Sequence, residues 1–184
     1  YGKNKPFAVS FEKINTAVNG KAQNIEANQK GLEFARVEDG HFDPKNPNDY
    51  YFVTTESNKD TKATTGNPEF PGASRDGGAL WRLRFDDVAN PLKGGTLEML
   101  LDGSEDVYMS KPDNITIDNK GNLLIQEDPG KNDRIARIVA YRISDGALGV
   151  VAKFKDQYFK QGGAEFITND EESSGIIDVT SFLK

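Results

Sequence analysis

A repeated unit of short strands is the feature that most restricts the fold of this chain. Two units share an apolar run after an aspartate-rich turn, an alternating strand that ends in aspartate, and a closing strand. These strands are predicted at residues 51–56, 79–86 and 96–101 in the first unit and at 122–127, 138–145 and 148–154 in the second. Units of about four short strands are typical of propeller blades, because each sheet buries its faces only against neighbouring sheets.

The chain is therefore predicted to be all-β, a β-propeller segment of about two and a half four-stranded blades. The predicted parts are a leading strand or loop at 1–32, a blade at 33–103, a blade at 104–160, and the start of a further blade at 161–184 with a strand at 164–167. The two blades differ by a polar insertion at 57–78. A sandwich of the two units is the alternative architecture.

A closed propeller needs roughly four to eight blades, which is more than this chain can supply. The chain begins at Tyr1 without a methionine and ends soon after a predicted strand. We therefore expect the remaining blades of the same propeller to come from a longer polypeptide or from a second chain fragment.

Composition excludes several classes of function. The formal net charge of −6 argues against a nucleic-acid partner, because phosphate backbones are bound by clustered lysine and arginine. The chain has no cysteine, so disulfides, thiolate metal sites and a cysteine nucleophile are excluded within it. His41 is the single histidine, which disfavours a zinc site or a serine–histidine–aspartate triad. No apolar run approaches the roughly 20 residues of a membrane-spanning helix.

Three acidic clusters punctuate the chain, each at the end of a strand-like run. They lie at residues 36–40, 126–129 and 171–175. Carboxylate oxygens suit hard cations such as calcium, magnesium, manganese or ferric iron, whereas the scarcity of histidine and cysteine disfavours zinc and copper. Acids delivered from successive strands to one place predict a cation site.

The order of several motifs carries a family resemblance. In chain order they are Arg36-Val37-Glu38-Asp39-Gly40 with Asp43-Pro44, Trp81-Arg82, Pro112-Asp113-Asn114-Ile115, Gly121-Asn122-Leu123, Gln126-Glu127-Asp128, and Glu172-Ser173-Ser174-Gly175-Ile176-Ile177-Asp178. This set, over about residues 33–183, resembles the C-terminal half of the PhoX-type alkaline phosphatases. The resemblance implies a six-bladed propeller, a secreted or periplasmic bacterial protein, and hydrolysis of phosphate monoesters with calcium and iron.

The resemblance also implies a role for individual residues. Arg36 would hold the substrate phosphate, while Glu38, Glu127 and Glu172 would bind metal, with Glu171 as the alternative to Glu172 by a shift of one residue. The planar fork of donors on arginine matches two phosphate oxygens. Bound hard cations can neutralise phosphoryl oxygens and activate a water molecule.

Each of these residues also has a purely structural interpretation. Arg36 and Glu38 lie two apart, so on a strand they would share a face and could form a surface ion pair. Glu127 could cap a hairpin or pair with Arg134 or Arg137, and the acidic run at 170–172 could be a solvated loop. Trp81 is predicted to pack between blades. Four further acids are interpreted as turn formers: Asp43, Asp49, Asp113 and Asp118.

Three functions follow from these observations. The first is a metal-dependent phosphoesterase that acts on small-molecule phosphate monoesters. The second is a calcium-stabilised β-propeller module for binding or assembly, without catalytic activity. The third is a related hydrolase that acts on another phosphate ester or on a lactone.

Overall fold

The structure, a computed structural model, describes residues 2–56, 77–128 and 134–183. Its strands form two antiparallel sheets with the orders β1-β5-β4-β3-β2 and β6-β7-β8-β9. The strands are β1 Phe7–Val9, β2 Val37–Phe42, β3 Asp49–Thr54, β4 Ala79–Phe85, β5 Gly95–Leu101, β6 Pro112–Ile117, β7 Asn122–Glu127, β8 Arg137–Arg142 and β9 Leu148–Lys153. With two short helices, α1 Gly20–Lys30 and α2 Asp156–Phe159, the fold is mostly β, as predicted.

The two sheets repeat the same meander of four strands in chain order, β2 to β5 and β6 to β9. The first sheet differs from the prediction because β1 adds a fifth strand beside β5, where Phe7 is opposite Leu97. The described residues do not close a propeller, so the number of blades stays a prediction. The predicted insertion at 57–78 lies almost entirely outside the described residues.

The strand predicted at 164–167 is not formed. The backbone amide of Glu165 donates to the carbonyl of Gln157 at 3.0 Å, and that of Ile167 donates to Tyr158 at 2.7 Å. These amides therefore bond to the segment around α2 and not to a strand partner. The segment after α2 follows an irregular path back toward the two sheets.

The core lies between the sheets. Its buried side chains come from both of them: Tyr51, Val53, Leu80 and Leu101 from the first, and Ile115, Ile117, Leu123, Ile125 and Tyr141 from the second. On its other face the first sheet buries Trp81 with Phe52, Leu97 and Met99, and Phe34 packs against this group. Trp81 is therefore a packing residue, but it lies on the face away from the second sheet and not between the two predicted blades.

Local signals explain the turns and the first helix. Gly121 in the β6–β7 turn has φ +88°, and Asp118 accepts the backbone amide of Asn122 at 2.8 Å, which fits the aspartate-rich turn predicted before the apolar run of the second unit. Helix α1 begins after Asn19, whose side chain accepts the amide of Ala22 at 3.0 Å. No helix in the described part of the chain is long and apolar enough to cross a membrane.

Candidate functional site

The two sheets begin their first strands in the same way. Arg36, just before β2, has φ +56°, and Lys111, just before β6, has φ +47°. The carbonyl of Arg36 accepts the amide of Thr55 at 3.0 Å, and the carbonyl of Lys111 accepts that of Asp128 at 2.9 Å. The starts of β2 and β6 are therefore equivalent positions of the repeat, although the first acidic cluster had been predicted at the end of a strand.

This equivalence matches Glu38 with Asp113. Glu38 follows Arg36 by two positions, and Asp113 follows Lys111 by two positions. The second pair lies 75 residues after the first in the sequence, since both 113 minus 38 and 111 minus 36 give 75. Strand β2 lies against β6, and the amide of Ile115 donates to Asp39 Oδ2 at 3.1 Å across the boundary. One acid from each sheet therefore reaches the seam between β2 and β6.

Asp113 lies among most of the predicted site residues. Burial, and then the negative charges of Glu38, Glu172 and Asp128, raise the pKa of Asp113, while Arg36 lowers it. Each of these four charged side chains therefore acts electrostatically on Asp113. One acid from each of the three acidic clusters thus interacts electrostatically with Asp113.

Arg36 and Glu38 form the exposed edge of this group. Arg36 Nη2 lies 3.4 Å from Glu38 Oε1, and Thr55 Oγ1 donates to the same oxygen at 2.9 Å. The Arg36 side chain is 58% exposed and that of Glu38 is 26% exposed. An ion pair so open to solvent contributes little to stability, and it leaves most of the guanidinium donors facing solvent.

Glu127 points away from Asp113 into the protein and is fully buried. Its Oε1 accepts from the Ser110 amide at 2.9 Å and from Arg134 Nη2 at 2.5 Å. Its Oε2 accepts from Arg134 Nη1 at 2.5 Å and from the Arg137 amide at 2.8 Å. A carboxylate has about four acceptor positions, so these four donors occupy all of them. The pairing with Arg134 is the structural alternative that the sequence left open.

The third cluster supplies one buried and one exposed glutamate. Glu171 is 4% exposed and accepts the amide of Ala136 at 2.9 Å. Glu172 is exposed, accepts from Ser174 Oγ at 2.7 Å, and acts electrostatically on Asp113. Glu172 is therefore the member of this pair that belongs to the group around Asp113.

A family model supplies the decisive comparison, because the model for alkaline phosphatase PhoX matches residues 5–177 of the 184-residue chain. The chain belongs to the PhoX alkaline phosphatase family. The family predicted from the order of the motifs is confirmed, and it supports a phosphatase function at the family level. No curated protein and no solved structure was found to match the chain.

Two acids of this PhoX chain, Asp113 and Asp128, were not predicted as site residues but interact with each other electrostatically. Asp128 belongs to a predicted cluster but was passed over in favour of Glu127. Asp113 was interpreted as a turn former, which is wrong, because it lies in β6. The offset of 75 that relates Arg36 and Glu38 to Lys111 and Asp113 was the signal that could have found it.

Of the other three acids interpreted as turn formers, two form turns and one forms an ion pair. Asp43 accepts the amide of Lys45 at 2.8 Å, and Asp118 accepts that of Lys120 at 2.9 Å, so both are turn formers as predicted. Asp49 instead holds Arg84 through two bonds of 2.6 Å across β3 and β4.

The donor chemistry of the site fits a hard cation, because the acids that act on Asp113 offer carboxylate oxygens. Among the residues that the structure describes, no three acidic or histidine side chains are close enough to form a site for one metal ion. The chain thus presents the right ligand type without a complete ligand set in its described part.

Proposed function

We propose that this PhoX-family chain contributes the active site of a metal-dependent phosphoesterase that hydrolyses phosphate monoesters. The family match, which extends over both sheets, carries the proposal. Its chemistry would come from the exposed guanidinium of Arg36 and from Asp113 with the three acids that act on it electrostatically, Glu38, Asp128 and Glu172. The natural substrate class is a small-molecule phosphate ester.

Arg36 is the proposed phosphate-binding residue. Its guanidinium offers planar, paired donors that match two phosphate oxygens, and it is more than half exposed. The bond from Thr55 to Glu38 holds in place the carboxylate that pairs with Arg36. The phosphate would approach from the solvent side.

Glu38, Asp113, Asp128 and Glu172 are the proposed metal-binding residues. Calcium suits such oxygen ligands, and iron is the second metal that the family resemblance implies. When bound, hard cations neutralise phosphoryl oxygens and lower the pKa of a bound water. The four carboxylates would orient these cations, and the role predicted for Glu127 as a ligand stays a prediction.

The resemblance supports two further parts of the proposal. We propose that the two sheets are blades of a six-bladed propeller, whose other blades come from the same polypeptide or a second chain fragment. We also propose that the protein is secreted or periplasmic. In a propeller, equivalent strand starts such as those of β2 and β6 face one common axis, where ligands from several blades can meet.

Hydrolysis of p-nitrophenyl phosphate in calcium tests the proposed function. We expect activity that EGTA abolishes and that Arg36→Gly lowers at least roughly tenfold in kcat/KM, the effect of losing one charge-assisted contact. Glycine accepts the positive φ of Arg36, so the melting temperature should not fall. Arg142→Ala is the matched control, because Arg142 is 56% exposed and pairs with Asp145 away from the site.

The second candidate is a calcium-stabilised binding module. The ion pair of Arg36 with Glu38 favours it, because an arginine held by a neighbouring carboxylate can serve a structural role. Calcium would then raise the melting temperature of a chain that hydrolyses no ester, and Arg36→Gly would change neither property. The same assay, run with a thermal melt, separates the two functions.

A further inference from the structure

A cleft of about 540 Å³ lies between the end of β5, the N-terminal residues and the turn that joins β8 to β9. Its walls come from Lys3 and Asn4, from residues 100–107, and from residues 141–148. Its volume falls within the range of roughly 300–1,000 Å³ that is usual for small-molecule sites. The residues that line the cleft include none of those proposed above to bind phosphate or metal.

Backbone and side-chain bonds fix the N-terminal wall of the cleft. Lys3 is bridged to Met99 of β5, and the amide of Asn4 donates to the carbonyl of Met99 at 2.8 Å. Asn4 has φ +57°, a conformation that asparagine tolerates better than most residues. Lys3 Nζ lies 2.7 Å from Glu105 Oε1 on the facing wall. The cleft is therefore bounded by segments that are bonded to one another.

The hydroxyl of Tyr141 is the polar group that marks the cleft as a binding site. Tyr141 lines the cleft, is 8% exposed, and has its ring in the core. A Cβ atom added to Gly146, in the β8–β9 turn, would lie 3.7 Å from the Tyr141 hydroxyl, so this hydroxyl lies at the turn that forms the wall. Within residues 2–56, 77–128 and 134–183 the hydroxyl has no hydrogen-bond partner. Buried polar groups are normally hydrogen-bonded, so we expect a ligand to supply the partner.

The charges around the cleft leave one carboxylate without a cation. Lys3 is paired with Glu105, and Asp145 is paired with Arg142 at 3.1 Å. Asp106, which also lines the cleft, is exposed and forms no ion pair with a lysine or arginine in the described part of the chain. Two cations and three acids leave one net negative charge at the cleft. A ligand with a positive charge is therefore favoured over an anion.

We propose that this cleft binds a small organic cation, in which an ammonium group is attached to a compact apolar group. Asp106 attracts the ammonium group, and the Tyr141 hydroxyl offers the ligand a hydrogen bond. Burial raises the pKa of Tyr141, so the hydroxyl stays neutral and keeps its proton. Leu101 and Leu148 line the same cleft and supply apolar surface for the rest of the ligand. This inference does not depend on the proposed function.

A titration of the ¹⁵N-labelled chain, followed by NMR near neutral pH, tests the proposal with three probes of similar shape. Benzylamine, benzyl alcohol and benzoate carry a positive, a neutral and a negative head group on the same ring. We expect benzylamine to shift the amide signals of Asp106 and Gly146 in a saturable way. Benzyl alcohol should bind at least roughly tenfold more weakly, and benzoate should not bind.

Three variants test the residues that carry the proposal. Asp106→Asn should weaken benzylamine binding at least roughly tenfold, and Asp106→Lys should make the cleft prefer benzoate to benzylamine. Tyr141→Phe removes the hydroxyl alone and should weaken binding roughly threefold or more. Asp170→Asn, at an exposed acid, and Tyr50→Phe are the matched controls, because neither residue lines the cleft.

The outcomes decide the inference without reference to hydrolysis. It is wrong if benzylamine does not bind, if it shifts only amides outside the cleft, or if it binds the Asp106→Asn chain as tightly as the unaltered chain. Weaker binding in Asp106→Asn and Tyr141→Phe, with reversed preference in Asp106→Lys and unchanged binding in both controls, supports it. The phosphatase assay described above is unaffected by either result.

Discussion

Single buried side chains decide which acids stabilise the fold and which remain available for chemistry. Glu127 is the clearest case, since it is fully buried against Arg134 and Arg137. The ring of Tyr108 lies 4.8 Å from the Arg134 guanidinium carbon and 5.6 Å from that of Arg137. Burial, and then repulsion from Arg134, lower the pKa of Arg137, so the cluster depends on the single negative charge of Glu127.

Glu127→Gln should therefore destabilise the chain strongly. Removing one partner of a buried ion pair leaves an uncompensated charge, which costs about 3–5 kcal/mol of unfolding free energy. Urea denaturation measures this cost. Glu165→Gln, at an exposed glutamate, should change the unfolding free energy by less than about 0.5 kcal/mol. A stable Glu127→Gln chain that has lost calcium binding would contradict the structural role and restore the predicted role as a ligand.

At the scale of single residues, the sequence predicted which residue types form the site better than it predicted their bonding partners. The acidic clusters and Arg36 were visible as motifs, but spacing along the chain cannot show which of two adjacent acids faces the seam. Glu127 ends β7 and Asp128 follows it in extended backbone, so their side chains point to opposite faces, and only the register with β6 decides between them. Asp113 was missed because it was assigned to a turn and not to β6.

Close approach of backbones fixes how the strands of the first sheet begin and end. Gly77, before β4, lies against Gly103, after β5. A Cβ atom added to Gly103 would lie 2.4 Å from the Cα of Gly77, and Gly103 also has φ +78°. Gly77 and Gly103 let the segment before β4 contact the segment after β5. The neighbouring Gly78 also has no room for a side chain, because an added Cβ atom would lie 2.4 Å from Cδ of Pro112.

Gly103→Ala should lower the unfolding free energy by roughly 2–4 kcal/mol, from the left-handed backbone and the backbone clash together. Gly149→Ala in β9 is the matched control, because no atom lies within 4 Å of its Cβ position and its φ is not positive. Chemical denaturation of both variants measures the difference. Equal stability of the two variants would contradict the close contact.

Strands with a strong alternation of apolar and polar residues were predicted from the sequence. Elements that depend on partners distant in the sequence were not. The hairpin at Gly121 and the strands of the two meanders follow from alternation and turn residues. Strand β1 was predicted only as part of a leading strand or loop at 1–32, because its partner β5 lies about ninety residues later in the chain. Helix α1 buries none of its residues, so it gave no amphipathic pattern that could identify it.

The whole molecule depends on the core shared by the two sheets. Leu123, in β7, is fully buried in this core with Tyr51 and Leu80 of the first sheet. Trp81, the single tryptophan, lies on the other face of that first sheet. A fluorescence signal from Trp81 therefore reports the first sheet, whereas far-UV circular dichroism reports both.

Leu123→Ala should lower the unfolding free energy by about 2–5 kcal/mol, the usual cost of a large-to-small change in a core. Because the core is shared, the Trp81 fluorescence transition and the circular dichroism transition should shift together. Val151→Ala, at a side chain that is 57% exposed, is the control and should shift neither. A shift in circular dichroism alone would mean that the sheets unfold independently.

Calorimetric titration of calcium into the chelator-treated chain tests most directly whether one cation site forms around Asp113. We expect saturable binding that Asp113→Asn weakens at least roughly tenfold, while Asp145→Asn, at a half-exposed carboxylate paired with Arg142, leaves it unchanged. Such a result would mean that acids from both sheets and the C-terminal segment act as one site. Calcium binding that is equal in the Asp113→Asn and unaltered chains, or absent from both, would contradict it.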